Sequence, residues 1–199
     1  LYASLTLLLF VSSLAPAAEG YPDANAYEYK TVGDTTLSLH VFNPAGHKPT
    51  DSRPAAVFFF GGGWNGGSPT QFVPHCRYLA SRGMVAVTAD YRVKSRQGTS
   101  PRECVKDGKS AVRWLRTNAA KLGIDPDRIA AGGGSAGGHV ASTTGIIQGM
   151  EEKGEDLNIS SKPNALLLFN PVYDNGPDGY GYNRVKDYYQ AISPIHNIE

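Results

Sequence analysis

The chain has 199 residues, of which 41% are hydrophobic and 10% aromatic, and this composition predicts one globular domain with its own core. Its 19 Lys and Arg residues are balanced by 18 Asp and Glu residues, which leaves a net charge of +1. The balance gives no electrostatic reason to expect nucleic acid or an anionic membrane surface as a partner.

Residues 1–18 have the features of a secretory signal peptide, with an apolar run, LTLLLFVSSL, followed by the small residues APA. The run is too short to span a bilayer, and no cysteine follows it directly to carry a lipid. The segment lacks an initial Met and any basic residue, so we expect the start of the signal to be missing. The sequence predicts a secreted or periplasmic protein without a stable membrane anchor, and its domain over residues 19–199. The alternative is a buried N-terminal strand or helix.

The strands predicted after this segment are of two kinds. AYEYKTVG and TTLSLHVFNP alternate polar and apolar residues on either side of Gly33-Asp34, which predicts a β-hairpin at the edge of a sheet. Four later segments are continuous apolar runs, at residues 55–60, 84–90, 128–133 and 165–170. Strands of this second kind are typically covered on both faces.

Two helices are predicted to begin at similar motifs, Ser68-Pro69-Thr70-Gln71 and Ser100-Pro101-Arg102-Glu103. Each has an N-cap serine, proline at the first helical position, and Gln or Glu three residues after the cap. Gly83 and Gly123 are expected to end these helices. In the second helix small and apolar residues recur every three or four positions, which predicts one buried face, with Lys106 and Asp107 on the solvated face.

The alternation of strands and helices predicts an α/β fold with a mostly parallel sheet flanked by helices. Residues 150–163 form a polar connector, and nothing in the sequence indicates a second domain.

Ser135 lies in Gly133-Gly134-Ser135-Ala136-Gly137, between an apolar strand and a predicted helix. This is the context that the G-x-S-x-G nucleophile elbow requires, where glycine permits a strained turn that exposes the serine oxygen. The helix dipole at this position favours developing negative charge. The alternative is an ordinary strand-to-helix turn without catalytic function.

A second glycine run, Gly61 to Gly63, follows the first buried strand. Acyl transfer needs hydrogen-bond donors aimed at the oxyanion of the tetrahedral intermediate, and backbone N–H groups reach it where no side chain interferes. We expect Gly62, Gly63 and Ala136 to form the oxyanion hole. The alternative is a flexible loop without a role.

These residues resemble the α/β-hydrolase superfamily, specifically its secreted bacterial esterases and lipases of the feruloyl-esterase-like kind, which have an HGGG-type oxyanion loop. The resemblance rests on the glycine run with Trp64, on DYR at 90–92, on GIDPDRI at 123–129 and on GGSAGGH at 133–139. Phe60 stands where many relatives have His before the glycines.

The fold implied by the resemblance places the triad acid after the seventh strand and the histidine after the eighth. Only six strands can be counted here, so the resemblance implies a fold truncated after about the sixth strand. The acid and the histidine are then expected beyond Glu199, and the recorded chain alone is expected to be inactive. A weaker candidate pair is Asp174 with His196, whereas His139 is expected to be a structural hydrogen-bonding residue.

The resemblance implies a serine hydrolase that cleaves a carboxylic ester through an acyl-enzyme at Ser135, without a cofactor or metal. Its substrate would be a small-molecule ester or one linked to a polysaccharide. The alternatives are a peptidase or amidase on the same fold, and a non-catalytic binding protein.

The roles of the aromatic residues and of the cysteines have more than one interpretation. Trp64 and the tyrosines of residues 178–189 are expected to line an aromatic pocket or to cover the sheet edge. Cys76 and Cys104 are the only cysteines, and export makes a disulfide between them a hypothesis, although helices in this fold usually place such residues on opposite faces of the sheet. The acyl and alcohol specificity and the oligomeric state are not determined by these residues.

Overall fold

The computed structural model describes residues 20–198, so the predicted signal peptide at residues 1–18 lies outside the described residues. The described chain begins with the predicted hairpin, in which β1 (Asn25–Val32) and β2 (Thr35–Phe42) pair antiparallel. Gly33 adopts φ +55° in the turn between them. A positive φ of this kind is what a two-residue hairpin turn requires and what glycine adopts without strain.

The four continuous apolar runs form the remaining strands of one six-stranded sheet. They are β3 (Arg53–Phe59), β4 (Val85–Ala89), β5 (Ile124–Gly134) and β6 (Ala165–Phe169). The spatial order is β1-β2-β4-β3-β5-β6, with β2 antiparallel to β4 and the last four strands mutually parallel. The carboxyl ends of β4, β3, β5 and β6 therefore meet at one edge of the sheet.

The helices are α1 (Val73–Ser81), α2 (Lys94–Gln97), α3 (Pro101–Thr117), α4 (Ala119–Leu122), α5 (Ala136–Ile146), α6 (Tyr182–Val185) and α7 (Tyr189–Ile192). None of the helices in the described part of the chain has the length and apolar character to cross a membrane. The architecture is the predicted α/β fold, a mostly parallel sheet flanked by helices.

Alternate residues of β3 point into two hydrophobic cores, one on each face of the sheet. Val57 and Phe59 pack with α3 and α5, whereas Ala56 and Phe58 pack with α1. Each core excludes water from one face, and burial on both faces explains why β3 has an unbroken apolar sequence.

Among the described residues, the expected covering of residues 165–170 on both faces is incomplete. Ala165 and Phe169 are exposed, and the three leucines between them are only partly buried. The reason is position in the sheet, because among the described strands β6 pairs with β5 alone. A continuous apolar sequence indicates a strand, but it does not reveal how many neighbours cover that strand.

The two helix-start motifs have different structures. Ser100 and Glu103 form the predicted capping box at the start of α3. Ser68, in contrast, makes no side-chain cap, and its motif forms a 3-10 turn, Pro69–Phe72, ahead of α1. Gly83 lies two residues after the end of α1, next to its C-cap Arg82, as predicted. Gly123 ends α4 instead of the long helix, because α3 already stops at Thr117.

The expectation that Asp107 lies on a solvated helix face is also wrong. Its side chain is 0% exposed, and Oδ1 lies 2.7 Å from both Lys30 Nζ on β1 and Arg92 Nη2 after β4. Glu152 completes the cluster at 2.9 Å from Lys30 and 2.8 Å from Arg92. Lys106 is partly exposed beside Glu152. Two cations from distant parts of the chain therefore make burial of this carboxylate possible.

The same connector that carries Glu152 is tied to α3 by further ion pairs. Glu151 lies 2.6 Å from both Lys109 Nζ and Arg113 Nη1, and Glu155 lies 2.7 Å from Arg113 Nη1. The polar segment 150–163 contains no helix or strand. Its carboxylates nevertheless attach it to α3.

The disulfide hypothesis is wrong in this structure, because Cys76 and Cys104 are both free and buried. Cys76 lies in the core under α1, and Cys104 lies in the core under α3 and α5. The sheet separates the two cores, so the sulfur atoms face opposite sides of it.

Candidate active site

Ser135 occupies the turn between β5 and α5 with φ +52° and ψ −121°, a backbone conformation that residues other than glycine rarely adopt. The backbone around it is held on both sides. Ser135 N–H donates to the Phe169 carbonyl at 3.1 Å, and the Ser135 carbonyl accepts from the N–H groups of His139 and Val172, each at 3.1 Å. The strained turn is thus stabilised by both neighbouring segments, as a nucleophile elbow requires.

Two glycines of the elbow are needed for close approach. A Cβ atom on Gly133 would lie 2.5 Å from the carbonyl oxygens of Phe59 and Gly137, and one on Gly137 would collide with the carbonyl groups of Phe59 and Phe60. The start of α5 therefore packs directly against the end of β3. This contact explains the small residues on either side of Ser135.

The second glycine run reaches the serine because β3 and β5 are neighbours. Phe59 is in register with Gly133, so both strands end at the same height. A Cβ atom on Gly61 would lie 3.4 Å from the Cβ atom of Ser135. The structure therefore brings together the two segments that the sequence analysis assigned to one site.

The first peptide group of the glycine loop is held at both ends. The Tyr91 hydroxyl donates to the Phe60 carbonyl at 2.6 Å, and the rings of these two residues stack with centroids 4.1 Å apart. The Gly61 N–H donates to Gln71 Oε1 at 2.5 Å. Phe60 thus fixes the loop by packing.

The next residues of the loop leave two N–H groups unused. The Gly62 carbonyl accepts from Asn65 N–H at 3.0 Å and from Gly66 N–H at 3.3 Å, and the Gly63 carbonyl accepts from Arg184 at 2.6 Å. Within residues 20–198 the N–H groups of Gly62 and Gly63 have no hydrogen-bond partner. The N–H of Ala136, at the first position of α5, has no acceptor within the helix. These groups are available to a bound anion or oxyanion.

Gly62 and Gly63 have φ +134° and +61°, respectively. A Cβ atom on Gly62 would collide with the Gly66 carbonyl, and one on Gly63 would lie 2.8 Å from the Tyr180 hydroxyl. Gly62 therefore requires glycine for conformation and for space, whereas Gly63 requires it for conformation, because a Cβ atom there meets only the end of the Tyr180 side chain.

His139 is buried with both ring nitrogens occupied. The Trp64 indole N–H donates to Nδ1 at 3.3 Å, so Nε2 carries the proton and donates to the Ile192 carbonyl at 2.8 Å. Burial lowers the pKa of His139 to about 4. The neutral ring links α5 to Trp64 and α7, and it has no nitrogen free to accept the Ser135 proton.

Trp64 and Tyr180 form an aromatic cluster beside the loop. Their ring centroids are 5.7 Å apart, and the Arg184 guanidinium lies 5.4 Å from each. Trp64 is buried, whereas Tyr180 is half exposed. Trp64, Arg184 and the α3 cap line a cavity of about 360 Å³, so this cluster both packs the loop and borders a cavity.

The candidate pair Asp174 and His196 is not joined by a hydrogen bond among the described residues. The Asp174 carboxylate accepts from Gly176 N–H at 2.7 Å, forming a local turn, and His196 packs edge-on against Tyr189 at 5.4 Å. His196 lines a cavity with Gly145 and Ile146, which lie at the opposite end of α5 from Ser135. Ser135 Oγ itself has no hydrogen-bond partner within residues 20–198.

The remaining three histidines make contacts that do not involve Ser135. His40 is buried on β2, where burial lowers its pKa, and His47 contacts the Leu122 carbonyl at 2.9 Å. His75 is exposed on α1 against Phe72 and Phe169. No group of three or more metal-ligating side chains occurs in the part of the chain that the structure describes.

The side chains that hold the glycine loop were not predicted from the sequence. Gln71 was assigned to a helix cap, and Arg184 was not assigned a role. The DYR segment at 90–92 was noted, but its function as a support for Phe60 depends on contacts between distant residues. Only the presence of an acceptor-bearing side chain shortly after a glycine loop could have pointed to Gln71.

Comparison with known proteins places these features in a family. Residues 39–174 match the BD-FAE family. The carboxylesterase NlhH of Mycobacterium tuberculosis is 34% identical over 119 residues, which are 58% of this chain and 36% of that protein. An AB hydrolase superfamily protein of Schizosaccharomyces pombe is 34% identical over 134 residues, covering 66% of this chain and 38% of that protein. The chain thus spans less than two fifths of these relatives.

Solved structures are more similar still. The apo form of Thermogutta terrifontis esterase 2 superposes with a TM-score of 0.85 at 49% sequence identity, covering 89% of this chain and 68% of that chain. A second structure, of the same esterase phosphorylated by paraoxon, has a TM-score of 0.84 and 49% identity over 89% of this chain and 66% of that chain.

Proposed function

The chain belongs to the BD-FAE family, and from that premise we propose that the protein hydrolyses carboxylic esters through a covalent acyl-enzyme at Ser135. The observation that supports this most directly is the meeting of the two glycine segments, with Gly61 against Ser135 and the N–H groups of Gly62 and Gly63 unused. The similar carboxylesterase of M. tuberculosis and the esterase of T. terrifontis agree with this chemistry.

In the proposed reaction Ser135 Oγ attacks the ester carbonyl carbon, and the carbonyl oxygen becomes an oxyanion. The N–H groups of Gly62, Gly63 and Ala136 hold that oxygen, and because they are fixed before reaction they need no reorganisation. A general base takes the Ser135 proton during the attack and returns it to the leaving alkoxide as the intermediate collapses, so that the alcohol departs and the acyl group stays on Ser135. Attack by water on the acyl-enzyme releases the acid and restores the hydroxyl.

The mechanism requires a base for the Ser135 proton, and His139 cannot supply it because both its nitrogens are bonded. Among residues 20–198 no histidine or carboxylate is hydrogen-bonded to the Ser135 side chain. The resemblance to α/β-hydrolases suggests a histidine oriented by Asp or Glu.

The proposed substrates are small-molecule esters with short acyl groups. Structures of T. terrifontis esterase 2 contain propionate and butyrate, which suggests the size of the acyl group for this protein too. An ester linked to a polysaccharide is a further proposal, as is export to the periplasm or medium, which rests on the sequence of residues 1–18.

The test compares the full-length protein with its Ser135→Ala variant on 4-nitrophenyl butyrate and on the matching anilide. We expect ester turnover to fall by a factor on the order of 10⁴ or more in the variant, because the nucleophile is lost. Paraoxon should add one phosphoryl group to the parent and none to the variant.

Three results would decide against the proposal or in favour of its alternatives. A parent that is neither phosphorylated nor active is a binding protein. A parent that is phosphorylated but prefers the anilide is an amidase. Equal ester turnover in parent and variant excludes Ser135 as the nucleophile.

A further inference from the structure

Gln71 has an unexpected contact. Its position three residues after Ser68 fits a capping box, but its side chain does not return to the Ser68 backbone. Instead Gln71 Oε1 accepts the Gly61 N–H at 2.5 Å, ten residues back along the chain. The same oxygen lies 3.5 Å from the position of a Cβ atom on Gly61, and Ser135 Cβ lies 3.4 Å from that position. Gln71 therefore reaches the edge of the candidate active site.

The backbone that carries Gln71 is anchored on both sides. The Pro69 carbonyl accepts from the buried Thr88 hydroxyl of β4 at 2.8 Å. Phe72 is buried and stacks on Phe58 of β3, with ring centroids 5.1 Å apart and planes inclined by 5°. Because its neighbours are fixed to two strands of the sheet, Gln71 presents its amide oxygen from a rigid support.

Gln71 thereby completes the attachment of one peptide group. The Phe60–Gly61 peptide is held at its oxygen by the Tyr91 hydroxyl and at its N–H by Gln71. The next peptide group contains the Gly61 oxygen and the Gly62 N–H, and neither atom is hydrogen-bonded to a described residue. The direction of the Gly62 N–H therefore depends on the peptide groups on either side of it, and Gln71 holds the one before it.

The Gly63 N–H is held in a different way. It belongs to the peptide group whose oxygen, that of Gly62, accepts from Asn65 and Gly66. Removing the Gln71 contact would therefore loosen the peptide group before Gly62, which Tyr91 alone would then hold, and leave the anchoring of the Gly63 N–H unchanged.

We infer that Gln71 is a positioning residue for catalysis, which aims the Gly62 N–H at the oxyanion by holding the Gly61 N–H. This inference rests on the proposed ester hydrolysis. It gives Gln71 no contact with the substrate, and its effect is expected on the transition state, where the oxyanion forms, more than on substrate binding.

The test replaces Gln71 with Met, which has nearly the same length but accepts hydrogen bonds poorly. In the full-length protein we expect kcat for 4-nitrophenyl butyrate to fall about tenfold, less than the loss of a whole donor, with KM within about twofold of the parent. Inhibition by an aryl trifluoromethyl ketone, whose serine adduct carries an oxyanion, should weaken by a similar factor. Gln190→Met, an exposed glutamine on α7, is the matched control and should retain the parent kcat.

Amide hydrogen exchange at Gly61, measured by NMR on glycine-labelled protein, tests the contact without relying on activity. Protection should be lost in Gln71→Met and retained in Gln71→Glu, since a carboxylate still accepts the Gly61 N–H. The inference is overturned if kcat in Gln71→Met stays within twofold of the parent, or if Gly61 remains protected in that variant. If the parent shows no Ser135-dependent hydrolysis, the proposed function fails, and the exchange result still decides whether Gln71 holds the loop.

Discussion

His139 shows how burial decides the role of a residue that lies four positions after the nucleophile. Its position in the sequence predicts a structural role, and its contacts with Trp64 and the Ile192 carbonyl agree with that role. A ring that accepts from an indole through Nδ1 must stay neutral, because protonation would place two donors against each other. His139 therefore joins the loop after β3 to α5 only while it is uncharged.

This neutrality predicts a loss of stability in mild acid. Unfolded histidine binds a proton below about pH 6.5, but the pKa of folded His139 is about 4, so the unfolded state gains more protons as the pH falls between these values. We expect the free energy of unfolding to drop by about 2 kcal/mol from this residue between pH 7 and 5. Urea unfolding at the two pH values should show a smaller drop in His139→Gln.

The pH range in which His139 lowers stability lies above the range in which Glu152 does so. Burial opposes ionisation of Glu152, but Lys30 and Arg92 outweigh it and lower its pKa to about 2, so its contribution is lost only as the pH falls from 4.5 toward that value. His75→Gln, at an exposed position, is the control and should follow the parent. An identical drop in His139→Gln and in the parent would contradict the assignment.

Single residues of the site differ in how far the sequence could predict them. Ser135 and the glycines are recognisable because their spacing reflects a backbone conformation and close contacts that few other residues permit. Gln71 and Arg184 could not be predicted, because each acts on a carbonyl or N–H group distant in sequence and many polar residues could stand in either place.

At the level of secondary-structure elements, two similar Ser-Pro motifs begin different structures. Ser100 accepts from Arg102 N–H and pairs with Glu103 at the start of a 17-residue helix. Ser68 precedes a four-residue 3-10 turn and makes no side-chain cap. The motif is the same, but a tertiary contact from Gly61 withdraws the side chain of Gln71 from the second cap.

These structures predict different effects of the same substitution. Ser100→Ala should lower the free energy of unfolding by about 1 kcal/mol, because it removes a helix cap. Ser68→Ala should change it by less than about 0.5 kcal/mol, as is usual for an exposed residue without a specific contact. Urea unfolding of the two variants side by side would measure both values, and equal losses would show that Ser68 caps the turn after all.

The elements themselves were largely predictable. Alternation identified the β1–β2 hairpin, and continuous apolar sequence identified β3 to β6, since each pattern follows from which faces are buried. The break between α3 and α4 at Asn118 was not predicted, because the apolar periodicity continues across it. The exposure of β6 depends on the order of strands in the sheet, since among the described strands only β5 pairs with it.

Across the whole molecule, the sheet divides the interior into two cores, and each core contains one of the two buried cysteines. Burial raises the pKa of Cys76 to about 12 and that of Cys104 well above its usual range. Thiols of this kind are scarcely ionised at neutral pH, and only the thiolate reacts readily. The sequence predicts the two cysteines on consecutive helices. The two thiols are far from each other because α1 and α3 cover opposite faces of the sheet.

We therefore expect both thiols to be unreactive in the native protein and free once it unfolds. Iodoacetamide without reductant should leave the peptides carrying Cys76 and Cys104 unmodified at neutral pH and alkylate both fully in concentrated urea. Peptide mass spectrometry distinguishes the two states. Alkylation in urea that requires prior reduction would indicate a disulfide and a different arrangement of α1 and α3.

The charge cluster of Lys30, Arg92, Asp107 and Glu152 has a consequence for how this sequence can diverge. Two cations and two carboxylates, contributed by β1, the segment after β4, α3 and the connector, balance one another where water is scarce. Loss of any one member leaves an uncompensated charge, so a single replacement is selected against, whereas joint replacement by apolar residues can be tolerated. These four positions are expected to co-vary among descendants of this chain, changing together or not at all.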